Sequence, residues 1–291
     1  MRISRSPMLR AAIALATAFA ASGAAAEPYV VGGRTLQLPA PPTLTRISGS
    51  LPQLLQSFEG YAPAEGRVID VYVTPDDHAV FVAGGNGELL RYAQLGVQRA
   101  SETKPLSAIG FRANLDLMER ALEQSMPKVA DETRKQSAKG DAVMKEIYGT
   151  EITTSISDIG YHGVYRREKW GLFFTATAAV DVNGQPHPIR VFTASSFAMI
   201  DNRFMTFSVY SEDEPPARAW ARHTLDTWVD AAHAANPDDF RQEVQSLFGV
   251  APAAQRPLLV LAVLFAVVAP AVVVVVLLRR RRALRGAGQR R

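Results

Sequence analysis

Five histidines, His78, His162, His187, His223 and His233, together with the complete absence of cysteine, set what chemistry the 291-residue chain could carry. Without Cys there is no thiol nucleophile, no disulfide framework, no Cys-based zinc or iron–sulfur site and no lipid-modified N-terminal Cys. The histidines form no HExxH, and no pair stands at i,i+4 beside a carboxylate, so a helical zinc site has no support. Pro75-Asp76-Asp77-His78 has metal-ligand residue types, but Asp-Asp after Pro is also what a turn needs, and the turn is the preferred reading. Gly84-Gly85-Asn86-Gly87 lacks both the dinucleotide fingerprint and the GK[ST] of a P-loop, and reads as a hairpin turn. Ser195-Ser196 lies outside any GxSxG elbow, with no evident His and Asp partners. No catalytic, cofactor-binding or metal residue is therefore assigned, and the favoured reading is a protein without catalysis. The competing reading is an exported hydrolase whose site is assembled from Asp77, His78, His162 or Ser195.

One segment has the composition of a binding loop. Across Tyr161-His162-Gly163-Val164-Tyr165-Arg166-Arg167-Glu168-Lys169-Trp170, aromatic rings alternate with cations. Guanidinium forks suit carboxylates or phosphates, and rings supply rigid contact area. Tyr161, His162, Arg166, Arg167 and Trp170 are the candidate ligand- or partner-binding residues. The plainer account of the same residues is an edge hairpin protected by charge.

The elements that must position these residues fall into two halves. In the first, strand-like runs at Arg34–Leu38, Arg67–Val73, Ala79–Ala83 and Leu89–Val97 alternate with turns, and a short helix is expected at Pro52–Glu59. Helical periodicity follows at Asn114–Ser125, a stop at Pro127, and more helix at Val129–Tyr148. The second half reads as a β-meander: Ile152–Ile159, Val164–Glu168, Leu172–Val182, Ile189–Ser196 and Phe204–Tyr210, with hairpin turns at Asn183-Gly184 and Asp201-Asn202. Leu172, Phe174, Ala176, Ala178, Val180 and Val182 share one face, which must be buried. Phe173, Phe192 and Phe204 are expected on the other, so helix should cover that side too. Acids and prolines at 212–216 open a long helix closed by Asn236-Pro237, with Trp220, Thr224, Trp228, Ala231 and Ala235 along one stripe. The expected fold class is α+β: an antiparallel β-meander sheet packed with helices in an α/β/α-like sandwich, plus one C-terminal transmembrane helix.

The two ends carry the location. Arg2, Arg5 and Arg10 precede an alanine-rich stretch ending in Ala24-Ala25-Ala26, the parts of a signal peptide over 1–26 with cleavage between Ala26 and Glu27. Residues 257–278 hold no charge or amide and are long enough as a helix to span a bilayer. Arg279, Arg280, Arg281 and Arg282 follow, and the positive-inside rule places the 279–291 tail in the cytoplasm as the topology anchor. That puts an α+β domain at 27–236, and a short amphipathic helix and linker at 237–256, on the periplasmic side of the inner membrane. Ten of the 32 basic residues lie in the leader and tail, leaving 22 against all 28 acids outside. The sequence pI of about 9.4 thus reports topology, and the acidic exported part argues against nucleic acid as a partner.

An antiparallel meander preceded by helices and closed by a helix carrying Trp228 and Asn236, with stretches such as Thr175-Ala-Thr-Ala-Ala-Val-Asp-Val-Asn-Gly, resembles the PsbP/Mog-like α/β/α family over roughly 29–236. The resemblance implies a binding or assembly module, and transfers no functional residue. The expected function is a membrane-anchored exported binding or assembly protein of the cell envelope. It takes no cofactor; its partners are the cytoplasmic membrane through 257–278, and an envelope protein or small ligand.

Overall fold

Both faces of the Leu172–Val182 strand are buried, and the rest of the fold follows from covering them. In the computed structural model, residues 27–237 are described apart from Asn86, Lys104, 150–152 and 184–187, with the side chains of 126–135 also set aside. Nine strands occur among the described residues: β1 (Glu27–Val31), β2 (Arg34–Leu38), β3 (Thr45–Arg46), β4 (Gly66–Val73), β5 (Tyr92–Gln98), β6 (Thr154–Glu168), β7 (Gly171–Val182), β8 (Ile189–Ile200) and β9 (Arg203–Glu212). The helices are α1 (Pro52–Gly60), α2 (Pro75–Val82), α3 (Arg99–Glu102), α4 (Ala108–Ala113), α5 (Leu115–Tyr148) and α6 (Pro215–Ala235). β1 and β2 form a hairpin, and the other seven make one antiparallel sheet in the order β3-β4-β5-β9-β8-β7-β6. The class is α+β, antiparallel sheets packed with helices.

Leu172, Phe174, Ala176, Ala178, Val180 and Val182 join one core with α1, α4 and α5, through residues such as Phe58, Phe111 and Met118. Phe173 and Phe192 join a second core with Trp228 and Leu225 of α6, and Leu36 and Leu38 of β2. Each fully buried Phe or Leu contributes about 1.5–3 kcal/mol. Phe204 lies in the first core, so it does not share the face of Phe173 as expected. The buried side of α6 is Ala217, Ala221, Thr224, Leu225, Trp228, Val229 and Ala232, a stripe turned from the expected one, with Ala231 and Ala235 exposed.

Several boundaries differ for identifiable reasons. Ala79–Ala83 is helix, not strand: Thr74 caps α2 by accepting from the Asp77 N–H, and Pro75 occupies its first turn. The expected Pro75-Asp76-Asp77 turn is therefore the start of that helix. Leu89–Val97 begins late, at Tyr92, after Leu89 adopts a positive φ of 48°. α5 runs through Pro127 without stopping, because buried residues on either side, Leu122 and Met144, hold both halves to the same core against the cost of one proline. The two strands expected over 152–159 and 164–168 are, from Thr154 on, one strand, β6, with three register shifts, so Tyr161–Glu168 is strand and not loop. Asp201 and Asn202, with φ of 47° and 60°, make a two-residue turn between the paired Ile200 and Arg203, as type I′ requires. Asn183 has φ 54°, but Gly184 is outside the described residues. So are 1–26 and 238–291, which hold the expected leader, span and tail; no helix among the described residues is long and apolar enough to cross a membrane.

Candidate functional site

β6 is an edge strand, and its charges are engaged within the chain. Arg166 reaches the α6 side, where its guanidinium donates to Asp230 (2.8 and 3.1 Å) and Glu168 (3.2 Å), lies 3.6 Å from Asp226, and sits 4.5 Å from the Phe173 ring centroid. The hydrogen bond to Asp230 leads in holding its proton more firmly than an ordinary arginine. Arg167, the next residue, pairs on the α5 side with Asp116 and Glu119. The two adjacent arginines thus clasp a helix on each face. Trp170, in the β6–β7 turn, stacks on His233 of α6 at 4.1 Å. Tyr161 packs near Phe174, and burial, with Glu119 and Glu123, pushes its hydroxyl up to about 12. His162 is exposed, with Nε2 3.1 Å from Thr177 Oγ1. The five candidate residues share one strand and its turn, but not one surface.

The hydrolase constellation does not gather. Ser195 is fully buried, 3.0 Å from Ser208 Oγ, and its cross-strand neighbour Phe174 puts it on the α5 face. His162 contacts Thr177, which pairs with Phe192 on the α6 face. Asp77 and His78 sit on α2 after β4; β4 and β6 are five sheet spacings apart, about 24 Å. Asp77 accepts from Thr74 Oγ1 and the Glu88 N–H, and His78 Nε2 lies 2.8 Å from Ser50 Oγ. His223 is exposed on α6, and His187 is outside the described residues. Among the described residues no three metal-ligating side chains cluster.

The α2 end carries the open surface. Among its eight residues α2 buries none; Val80 is 40% and Val82 58% exposed. It stays helical through its Thr74 cap, the Asp77 bond to the Glu88 amide, and closure of its last turn by the Gly85 N–H on the Val80 carbonyl. On one side lies a cleft of about 510 Å³ lined by Ser50, Leu51, Pro52, Gln53 and Leu54 of the α1 start, Phe81, Gly84 and Gly85, and Ile147 and Tyr148 at the end of α5. On the other is a cleft of about 380 Å³ lined by Thr74, Asp76, Asp77, Val80, Gly87, Glu88, Leu90, Arg91 and Glu212. Sequence reading missed both, because each joins segments distant along the chain. The usable signal was Thr74-Pro75 as a helix start.

At the opposite end of the sheet, Trp228 of α6 and its C-cap Asn236 act as pins. Trp228 Nε1 donates to the Pro39 carbonyl (2.8 Å), and Asn236 bonds both the N–H (2.8 Å) and carbonyl (2.7 Å) of Gln37. Arg34 grips Asp201 with two nitrogens there (3.0 and 2.7 Å). Arg203 is buried, its Nε and Nη1 without hydrogen-bond partners; burial first, then Arg34, lowers its hold on the proton. No protein-family model matches this chain, and no curated protein matches it.

Proposed function

We propose that the chain is a membrane-anchored, exported binding or assembly protein of the cell envelope, with 27–236 as its periplasmic-side domain, 257–278 as its inner-membrane span and Arg279–Arg282 holding the tail in the cytoplasm. The resemblance to PsbP/Mog-like modules belongs to the same proposal. The observation that carries it is the placement of the open surface. Glu212 lines the acidic cleft, α6 starts three residues later at Pro215, and its 21 residues, about 32 Å, lead to Asn236. The α2 clefts and the start of the segment running to the span therefore lie at opposite ends of one helix. A domain tethered from Asn236 presents α2 outward.

The absence of cysteine makes the test direct. Single Val82→Cys and Ala287→Cys variants of the full chain are labelled in intact cells with a membrane-impermeant maleimide. Labelling at 82 alone is expected; labelling at both positions, or at 287 alone, sinks the topology. A photoreactive residue at 82 should then recover one defined envelope protein in excess over the same group at Val30, on the hairpin covering the other sheet face. Equal recovery at the two positions sinks the binding reading.

A further inference from the structure

We propose that Ser50 and His78 form a nucleophile–base pair, and that the cleft they share with the start of α1 hydrolyses small uncharged carboxylic esters. This activity goes beyond the binding reading above and does not depend on it.

Of the residues in the hydrolase reading only His78 meets a nucleophile, and it is a serine the sequence did not single out. Ser50 stands 28 residues away along the chain, yet its Oγ lies 2.8 Å from His78 Nε2, within reach of direct proton transfer. The Ile47 carbonyl is a second acceptor for the same hydroxyl, but at 3.4 Å. The nearer contact takes the hydroxyl proton when the ring carries its own on Nδ1. Both backbones are fixed. Ser50 and Leu51 donate their N–H groups to the Ile47 carbonyl (3.0 and 2.8 Å), and His78, in the first turn of α2, donates its own to the Thr74 carbonyl (2.9 Å). Ser50 is exposed and lines the larger cleft, whose volume of about 510 Å³ admits a small molecule. Among the described residues no charged side chain lines it: Leu51, Leu54, Phe81 and Ile147 alternate with polar Gln53 and Tyr148. A charged acyl group would find no counter-ion there, so the substrate is neutral. α1 starts at this cleft without a side-chain cap, and the N–H groups of Gln53 and Leu54 have no partner among the described residues. They are donors for an oxyanion. In the reaction Oγ attacks the ester carbonyl carbon as its proton passes to Nε2, and the C=O electron pair moves onto oxygen. Collapse of that oxyanion breaks the C–O bond, and the alcohol leaves with the proton from Nε2. Water then attacks the acyl-Ser50 ester by the same route, releasing the carboxylic acid and restoring the hydroxyl.

The experiment treats the full chain in phosphatidylcholine nanodiscs with a biotinylated fluorophosphonate and locates the label by peptide mass spectrometry. Ser50 should be labelled at least about tenfold above Ser155 and Ser157, which are exposed on β6 and serve as internal controls. His78→Gln should slow labelling of Ser50 by about a hundredfold, the range of a lost general base, and Ser50→Ala should remove the label. Hydrolysis of p-nitrophenyl butyrate should fall with both substitutions. α2 buries none of its residues, so His78→Gln keeps the wild-type urea midpoint and slower labelling cannot be put down to unfolding. Label at Ser50 no higher than at the two control serines, a rate unchanged by His78→Gln, or ester turnover that survives Ser50→Ala each overturns the proposal. Each of those results leaves partner recovery at position 82 as it was, so the activity and the binding reading fail separately.

Discussion

The β6–β7 hairpin and the α2 end differ in opposite senses between composition and availability. The hairpin concentrates arginines and rings, the residue types that bind things, yet Arg166 and Arg167 are held by Asp230, Glu168, Asp116 and Glu119, and Trp170 lies flat on His233. The α2 end is built from an ordinary capped turn and three valines or phenylalanines, and it is open. Whether a side chain can meet a partner depends on what faces it across the fold, and β6 is an edge whose charges fasten helices to both sides of the sheet. Edge strands need such protection, and bulges with charged side chains provide it.

That comparison can be broken at several points. The largest effect is expected where α1 packs on α5. A Cβ at Gly140 of α5 would lie 2.0 Å from the Tyr61 ring, so Gly140→Val should cost about 3 kcal/mol in urea unfolding and separate α1 from α5. A wild-type midpoint would show that α1 and α5 are not rigidly joined. Next, Arg166→Ala removes the clasp on α6 and its cover of Phe173, for about 2 kcal/mol, while Arg167→Ala, in a more exposed pair, should cost under about 1 kcal/mol. Equal costs would mean the two arginines are both surface decoration. At the far end, Arg203→Met is expected to be neutral or stabilising by about 1 kcal/mol, because it removes a buried cation with unfilled donors.

Asp226 sharpens the hairpin side through pH. Burial raises its carboxyl above the ordinary 3.8, ahead of the opposing hydrogen bond from Tyr165 and charge of Arg166. The fold then binds that proton more tightly than the unfolded chain does, so the stability Asp226 contributes falls as pH rises from 3.8 through the raised value. Asp226→Asn keeps an acceptor for the Tyr165 hydroxyl and cancels this slope. The stability difference between wild type and variant, measured by urea unfolding across that window, should therefore move with pH; a constant difference refutes the assignment. The smallest effect on stability is at α2, where Val82→Asp should stay within about 0.5 kcal/mol of wild type. A larger loss would mean that α2 is part of the core and not a presented surface.

Much of the fold was legible because its signals are local. The alternation in 172–182 placed a strand buried on both faces, and Asp201-Asn202 marked a turn where both residues take positive φ. Ala79–Ala83 reads as strand in the sequence because a five-residue apolar run has no period to distinguish strand from helix, and the Thr74 cap decides it. Pro127 misled because tertiary burial at Leu122 and Met144 outweighs one proline. The bulges that shift register at 157–160, 161–163 and 164–166 break the alternation, so the sequence shows β6 as two strands, at 152–159 and 164–168, and not as one. The site was less legible for a plainer reason: Leu54, Phe81 and Ile147 meet only after three separate elements pack, and no spacing in the sequence reports that.

The Asn236 pin also sets how the fold bears load. Any pull on the chain beyond Pro237 enters at Asn236, whose side chain holds the Gln37 amide and carbonyl together, and whose neighbour one turn back, Ala232, accepts a third bond from the same Nδ2. Tension is therefore shared at once between the last turn of α6 and strand β2, with the Trp228 indole on Pro39 as a second stop two turns behind. The helix terminus works as a buckle: it resists peeling from the end, and the two-stranded hairpin, rather than the seven-stranded sheet, takes the strain first.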